Sequence, residues 1–153
     1  MGISGEEFNF PTNASGSPDS QATARAVVQL LARMNQRGVA QDYRAALPVL
    51  GVDGSLADTG TDLPARGHVF AKIGTTVVDG ELQAAVLAGY IDAHTRRQLA
   101  FALFVNNYGP ITSIEDVATV FSDEAAITNA LLRVAITSKR IKLVRRFRAA
   151  LLQ

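Results

Sequence analysis

The residues best suited to chemistry lie in one short run, Ala71-Lys72-Ile73-Gly74-Thr75-Thr76. An ammonium, a position without a side chain and two hydroxyls follow one another on what reads as a β-strand. A lone lysine on a strand is usually a solvated charge guarding a sheet edge. A glycine there often marks a place where another backbone comes close. Together they suit an extended, peptide-like ligand laid along the edge as an added strand, with positive charge at hand for a carboxylate. Other candidates are weaker. His68 stands at a strand entrance and His94 in a hairpin connection, and neither has a second ligand at metal-binding spacing, so no metal is expected. Gly51-Val52-Asp53-Gly54-Ser55 lacks the Gly-Lys-Ser/Thr of a phosphate-binding loop and reads as a turn. Nothing in the chain calls for a cofactor.

The elements that must position this run follow from periodicity. Residues 1–18 read as loop. Ser17 as N-cap and Pro18 at the first helical position predict a helix that ends at Gly38, with Ala24, Val27, Leu30, Leu31 and Met34 on its apolar face. A shorter helix is expected over Asp42–Leu47. After a Gly/Asp/Thr-rich loop from Gly51 to Gly67, strands are expected at His68–Ile73, Leu82–Ile91 and Gln98–Asn106, antiparallel in succession. The two longer strands are apolar at nearly every position, as in a sheet covered on both faces by helices. Helix resumes near Ser113, with Glu115 and Asp116 in its first turn, breaks near Ser122 and continues to about Ala135. Thr137 or Ser138 opens a last helix. The fold class expected is α+β: an antiparallel sheet of three or more strands under helices.

Composition bounds the rest. At 153 residues, 48% hydrophobic and 19% charged, the chain has the make-up of one globular domain. The absence of cysteine excludes disulfides and thiol catalysis. No basic start with an apolar run, as in a secretory signal, is read in the first thirty residues. Charge is unevenly spread: residues 1–132 hold eight basic and fourteen acidic side chains, residues 133–153 seven basic and no acidic ones. Two pieces are therefore expected, a body over 1–132 and a basic tail over 133–153.

Several separated blocks resemble one family in order and spacing. They are Gly51-Val52-Asp53-Gly54-Ser55-Leu56, then Ala65-Arg66-Gly67-His68-Val69-Phe70-Ala71-Lys72, then Leu99-Ala100-Phe101-Ala102 and Val105-Asn106-Asn107. The chain is similar, over roughly residues 11–132, to the C-terminal part of the class-C low-molecular-mass penicillin-binding proteins, the D-alanyl-D-alanine carboxypeptidase/endopeptidase family. The resemblance implies a penicillin-binding-protein/β-lactamase-like transpeptidase fold, an extracytoplasmic setting, and a peptidoglycan stem peptide or a β-lactam as partner. Lys-Thr/Ser-Gly on an edge strand is the third signature of such serine acyl-enzymes, beside Ser-x-x-Lys and Ser-x-Asn. Carried over by position, Lys72 is the motif lysine that helps move the proton and holds the substrate carboxylate. Gly74 is the bare strand position. Thr75 offers its backbone N–H to an oxyanion, with Thr76 beside it.

The departures matter as much. Position 73 is Ile where the family has Thr or Ser, which removes a hydroxyl from the carboxylate. No Ser-x-x-Lys and no Ser-x-Asn occurs in the 153 residues, so these residues alone are expected to dock substrate without turnover. Two alternatives stand beside that reading, a non-catalytic peptide-binding or interaction module and an inactive truncated remnant. A sheet of buried character without the rest of its family's fold also exposes an edge, and self-association is expected from it.

Residues 137–152 read as an amphipathic helix with Ile141, Val144, Phe147 and Leu151 on one stripe and cations elsewhere. A helix docked on the body by that stripe is the first reading, an anionic membrane surface the second. With Phe147 the sole aromatic, no nucleic acid is expected.

Overall fold

A computed structural model describes residues 3–11, 18, 20–93 and 97–137. The elements in chain order are β1 (Phe8–Asn9), β2 (Gln21–Ala22), α1 (Ala24–Met34), α2 (Ala40–Ala45), β3 (Val69–Val78), β4 (Glu81–Ala93), β5 (Arg97–Pro110) and α3 (Ile114–Thr137). The class is α+β, as expected. β3, β4 and β5 form an antiparallel sheet in that order, and β1 pairs with β2 in a separate small ribbon.

Side chains alternate across the sheet, and each face meets a different helix. On one face Val69, Ala71, Leu87, Ile91 and Phe101 are buried with Ala125, Leu132 and Ala135 of α3. A second cluster, Leu82 and Ala85 against Val117, Val120 and Phe121, continues toward the start of α3. Ile73 packs against both clusters and joins them. On the opposite face Tyr90 is 2% exposed and donates its hydroxyl to the Leu31 carbonyl of α1 at 2.7 Å. Tyr43 of α2 meets the Tyr90 ring edge-on at 6.4 Å. Arg44 lies 4.0 Å above the Phe70 ring and pairs with Asp92, fastening α2 to the sheet. Both faces are thus helix-covered, which is why β4 reads as a nearly unbroken apolar run.

Five local expectations are corrected. α1 starts at Ala24 rather than Pro18, because Thr23 caps it: its hydroxyl oxygen accepts from the Ala26 N–H at 3.1 Å. That hydroxyl in turn donates to Glu7 at 2.8 Å, and Arg25 donates to the same carboxylate oxygen at 2.8 Å. The Thr23 hydroxyl, then Arg25, hold the Glu7 carboxyl below its ordinary range. β1 therefore forms where loop is expected over residues 1–18, and β2 takes residues 21–22 from the expected helix. β3 does not stop at Ile73; it runs on to Val78, absorbing an irregularity between Thr76 and Val77 as a bulge. α3 does not break at Ser122, whose hydroxyl donates back to the Ala118 carbonyl at 2.9 Å and so is satisfied within the helix. It also runs through Thr137, which is therefore not a new helix start. Ser17, His94 and the tail from residue 138 onward lie outside the described residues.

Among the described residues no helix is long and apolar enough to cross a membrane. No group of three His, Cys, Asp or Glu side chains among them is placed to hold a metal ion.

Candidate peptide-docking edge

β3 is an edge strand, and the direction of each backbone group along it can be worked out. Leu50 N–H donates to the Val69 carbonyl at 3.0 Å, and Ala71 N–H donates to the Pro48 carbonyl at 2.9 Å. Val69 and Ala71 therefore turn their backbone groups away from β4, toward a strap formed by residues 48–50. In a β-strand alternate residues face the same neighbour. Ile73 and Thr75 consequently also face outward, beyond the end of the strap, while Lys72 and Gly74 turn theirs toward Ala88 and Val86 of β4. The strap closes the first half of the edge and leaves the second half, at Ile73 and Thr75, without a backbone partner among the described residues.

The strap is held by the loop that follows it. Asp53 accepts from the Val49 N–H at 2.8 Å, and Arg66 donates to the Gly51 carbonyl at 3.0 Å. Gly51 and Gly54 take positive φ of 69° and 58°, which lets the chain turn back within this short loop. The Gly51–Ser55 stretch is thus a turn, as read, and its work is to fix the strap beside β3. That long-range pairing leaves no signal in local sequence.

The four predicted site residues fall as follows. Lys72 is exposed, and its ammonium donates to the Ile73 carbonyl at 2.8 Å, at the open part of the edge. Gly74 is exposed, and among the described residues beyond its chain neighbours a Cβ built there would meet only Val86 Cβ within 4 Å, at 3.9 Å. Thr75 is exposed, with its N–H directed outward by the alternation above. Thr76 is half-buried on the other side of the sheet from Thr75 and pairs with Ala84. Lys72 and Gly74 share one face of the strand; Ile73 and Thr75 share the other.

A groove of about 600 Å³ lies on the Ile73–Thr75 face, where β3 passes the start of α3. Its walls include Ile73, Thr75, Val77, Ile111, Val117 and Phe121. Lys72 is not among them. The start of α3 beside the groove is closed by Asp116, which accepts from the Thr112 and Ser113 N–H groups at 2.7 and 3.1 Å. Those bonds, with the Thr112 hydroxyl, hold the Asp116 carboxyl below its ordinary range. His68 precedes β3 and lines no part of this groove.

One group escapes a reading of the sequence. Glu124 on α3 is 1% exposed, and neither carboxylate oxygen has a hydrogen-bond partner among the described residues. Burial pushes its pKa up to about 7, with the nearby Leu87 amide offsetting part of the effect.

Comparison with known proteins bears on this arrangement. The profile of the D-Ala-D-Ala carboxypeptidase 3 (S13) family matches residues 2–127. A search of curated proteins gives no match. Among solved structures, the chain is similar to penicillin binding protein 4 (dacB) from Haemophilus influenzae, with a TM-score of 0.59 and 22% identity. That match covers 76% of this chain and 25% of the other. The same protein complexed with a novel β-lactam matches with a TM-score of 0.55 and 20% identity, covering 74% of this chain and 27% of that one. The fold is shared, and the chain spans about a quarter of the length of these structures.

Proposed function

The chain belongs to the D-Ala-D-Ala carboxypeptidase 3 (S13) family, and from that membership we propose that it supplies the substrate-docking strand of a serine-type D-alanyl-D-alanine carboxypeptidase. The ligand is a peptidoglycan stem peptide, or a β-lactam that imitates it. Its extended backbone pairs with the outward groups of Ile73 and Thr75, as an added strand. The Lys72 ammonium exchanges its bond to the Ile73 carbonyl for one to the peptide's terminal carboxylate. Gly74 leaves the strand surface bare, and Thr75 directs an N–H to the scissile carbonyl, where an oxyanion would develop. Thr76, facing the other way, is a lesser contact.

The single observation that carries this reading is the half-open edge: the strap satisfies β3 as far as Ala71 and stops where the lysine and the glycine begin. Without Ser-x-x-Lys or Ser-x-Asn in the 153 residues, these residues dock the peptide and do not acylate. Calorimetry with a peptide ending in D-Ala-D-Ala, beside fluorescent-penicillin labelling read on a denaturing gel, tests both halves. Saturable binding without a labelled band is expected. No binding, or a labelled band, overturns the reading.

A further inference from the structure

The seam that seats α3 on the sheet has a carboxyl at its centre. Val117, Phe121, Glu124, Thr128, Leu132 and Ala135 are buried at steps of three and four residues, so they share the stripe of α3 that faces the strands. Four are apolar and two are not. Thr128 is satisfied within its own helix, where its hydroxyl donates to the Ala125 carbonyl at 2.7 Å. Glu124, one turn before it, has no hydrogen-bond partner for either oxygen among the described residues. Those residues suffice to enclose it, so chain packed outside them would only deepen the burial.

Among the described residues nothing on this face balances a charge. The strands present Ile73, Leu87, Phe101 and Leu103 to α3, all apolar. Lys72 alternates with Ala71 and Ile73 and so lies on the other face, as does His68, which precedes Val69. In the neighbouring loop Asp53, Asp58, Asp62 and Arg66 are exposed, and Arg66 is engaged with the Gly51 carbonyl. On α3 itself Glu115, Asp123 and Arg133 are exposed, while Asp116 closes the helix start. An unpaired charge in such surroundings is strongly disfavoured: the group stays neutral, or the structure opens to water.

We propose that Glu124 is a proton-operated latch on α3: the neutral acid lets the middle of the helix lie on the sheet, and loss of its proton to solvent releases that stretch while α1 and the strands stay in place. The two faces of the sheet are fastened differently, which is what makes a local release possible. On the α1 face the Tyr90 hydroxyl donates to the Leu31 carbonyl and Arg44 pairs with Asp92, and neither bond involves α3. On the other face α3 is seated by the two apolar clusters, with the carboxyl between them in the stripe: Phe121 belongs to one, Leu132 to the other. Release also withdraws the backing of Ile73, which packs against both clusters. The latch itself does not depend on the peptide-docking reading of β3.

The test is amide hydrogen exchange of the full 15N-labelled chain, read by NMR at pH 5 and pH 8 and corrected for the intrinsic exchange rate. A carboxyl that titrates near 7 when seated and near 4.5 when hydrated makes opening about seventyfold more frequent at the higher pH. Protection of the α3 amides around Glu124 and Thr128 should fall by that factor, while the α1 amides keep theirs. Glu124→Gln, which has the same shape and cannot ionise, should hold α3 protection constant between the two pH values. α3 and α1 losing protection together marks unfolding of the whole chain and overturns the latch. So do α3 amides that keep their protection at pH 8, or that lose it equally in Glu124→Gln. The contrast between α3 and α1 is read on the wild-type chain, so the test survives a variant that fails to fold.

Discussion

Gly74 faces Val86 across the sheet, and among the described residues, its chain neighbours aside, Val86 Cβ alone comes within 4 Å of where a side chain on Gly74 would begin, at 3.9 Å. Gly89 is the opposite case. Its added Cβ would fall 2.6 Å from Ala71 Cα and 2.8 Å from Ala71 Cβ, inside the sheet. The fold needs the second glycine and not the first, so the bareness of Gly74 calls for a reason outside packing.

These two glycines separate structure from docking. Gly74→Ala should leave urea stability unchanged or slightly higher, since alanine costs less chain entropy than glycine. It should weaken binding of a D-Ala-D-Ala peptide. Gly89→Ala should lose about 1–3 kcal/mol in the same urea measurement, because β3 and β4 must move apart to admit the methyl.

Lys72 is exposed and its ammonium donates to its neighbour's carbonyl, so its removal should cost little stability. Lys72→Ala should unfold at the wild-type urea midpoint and bind the peptide about ten- to a hundredfold more weakly, as expected for a lost hydrogen bond between charged groups. Lys72→Arg, which keeps the charge, should recover part of the affinity in calorimetry.

Ile73 shows a conflict between docking and core. A hydroxyl at this position would offer the peptide carboxylate a further partner, yet the Ile73 side chain joins the two apolar clusters beneath α3. Ile73→Thr is expected to lower stability by about 1–2 kcal/mol. Peptide affinity should rise if the new hydroxyl reaches the edge, and calorimetry beside urea unfolding measures both effects on one variant.

Glu124 adds one component to the pH dependence of stability. Its folded pKa, about 7, lies above the ordinary carboxyl value of 4.5, so the folded state holds its proton more tightly than the unfolded one. That contribution is complete below about pH 4.5 and is lost as pH rises through 7, by an amount on the order of 3 kcal/mol. Glu124→Gln should flatten this part of the curve, with urea midpoints at pH 5 and pH 8 drawing together.

Much of this architecture is legible in the sequence because it is written in local pattern. The apolar runs of β4 and β5 announce a sheet covered on both faces, and the turn residues of 51–67 announce a loop. What stays hidden depends on distant partners. Ser17-Pro18 is the stronger local helix start, yet Thr23 wins because Glu7, sixteen residues away, binds its hydroxyl. Gly74 with two threonines resembles a strand end, but pairing with β4 carries β3 five residues beyond Ile73. Glu124 carries no local mark of burial, yet it is 1% exposed and lies beside the Leu87 amide of the sheet. In the candidate site, Lys72, Gly74 and Thr75 stand out by residue type. The strap that leaves their stretch of edge open does not, since it rests on bonds between residues some twenty positions apart.

The most direct test is an amide NMR titration of the 15N-labelled chain with a peptide ending in D-Ala-D-Ala. The Ile73 and Thr75 resonances should shift together and saturate, with the β5 amides of Ala100 and Ala102 unmoved, and the shifts should vanish in Lys72→Ala. A folded chain whose Ile73 and Thr75 amides stay still at saturating peptide, or move equally in Lys72→Ala, contradicts the assignment of this edge.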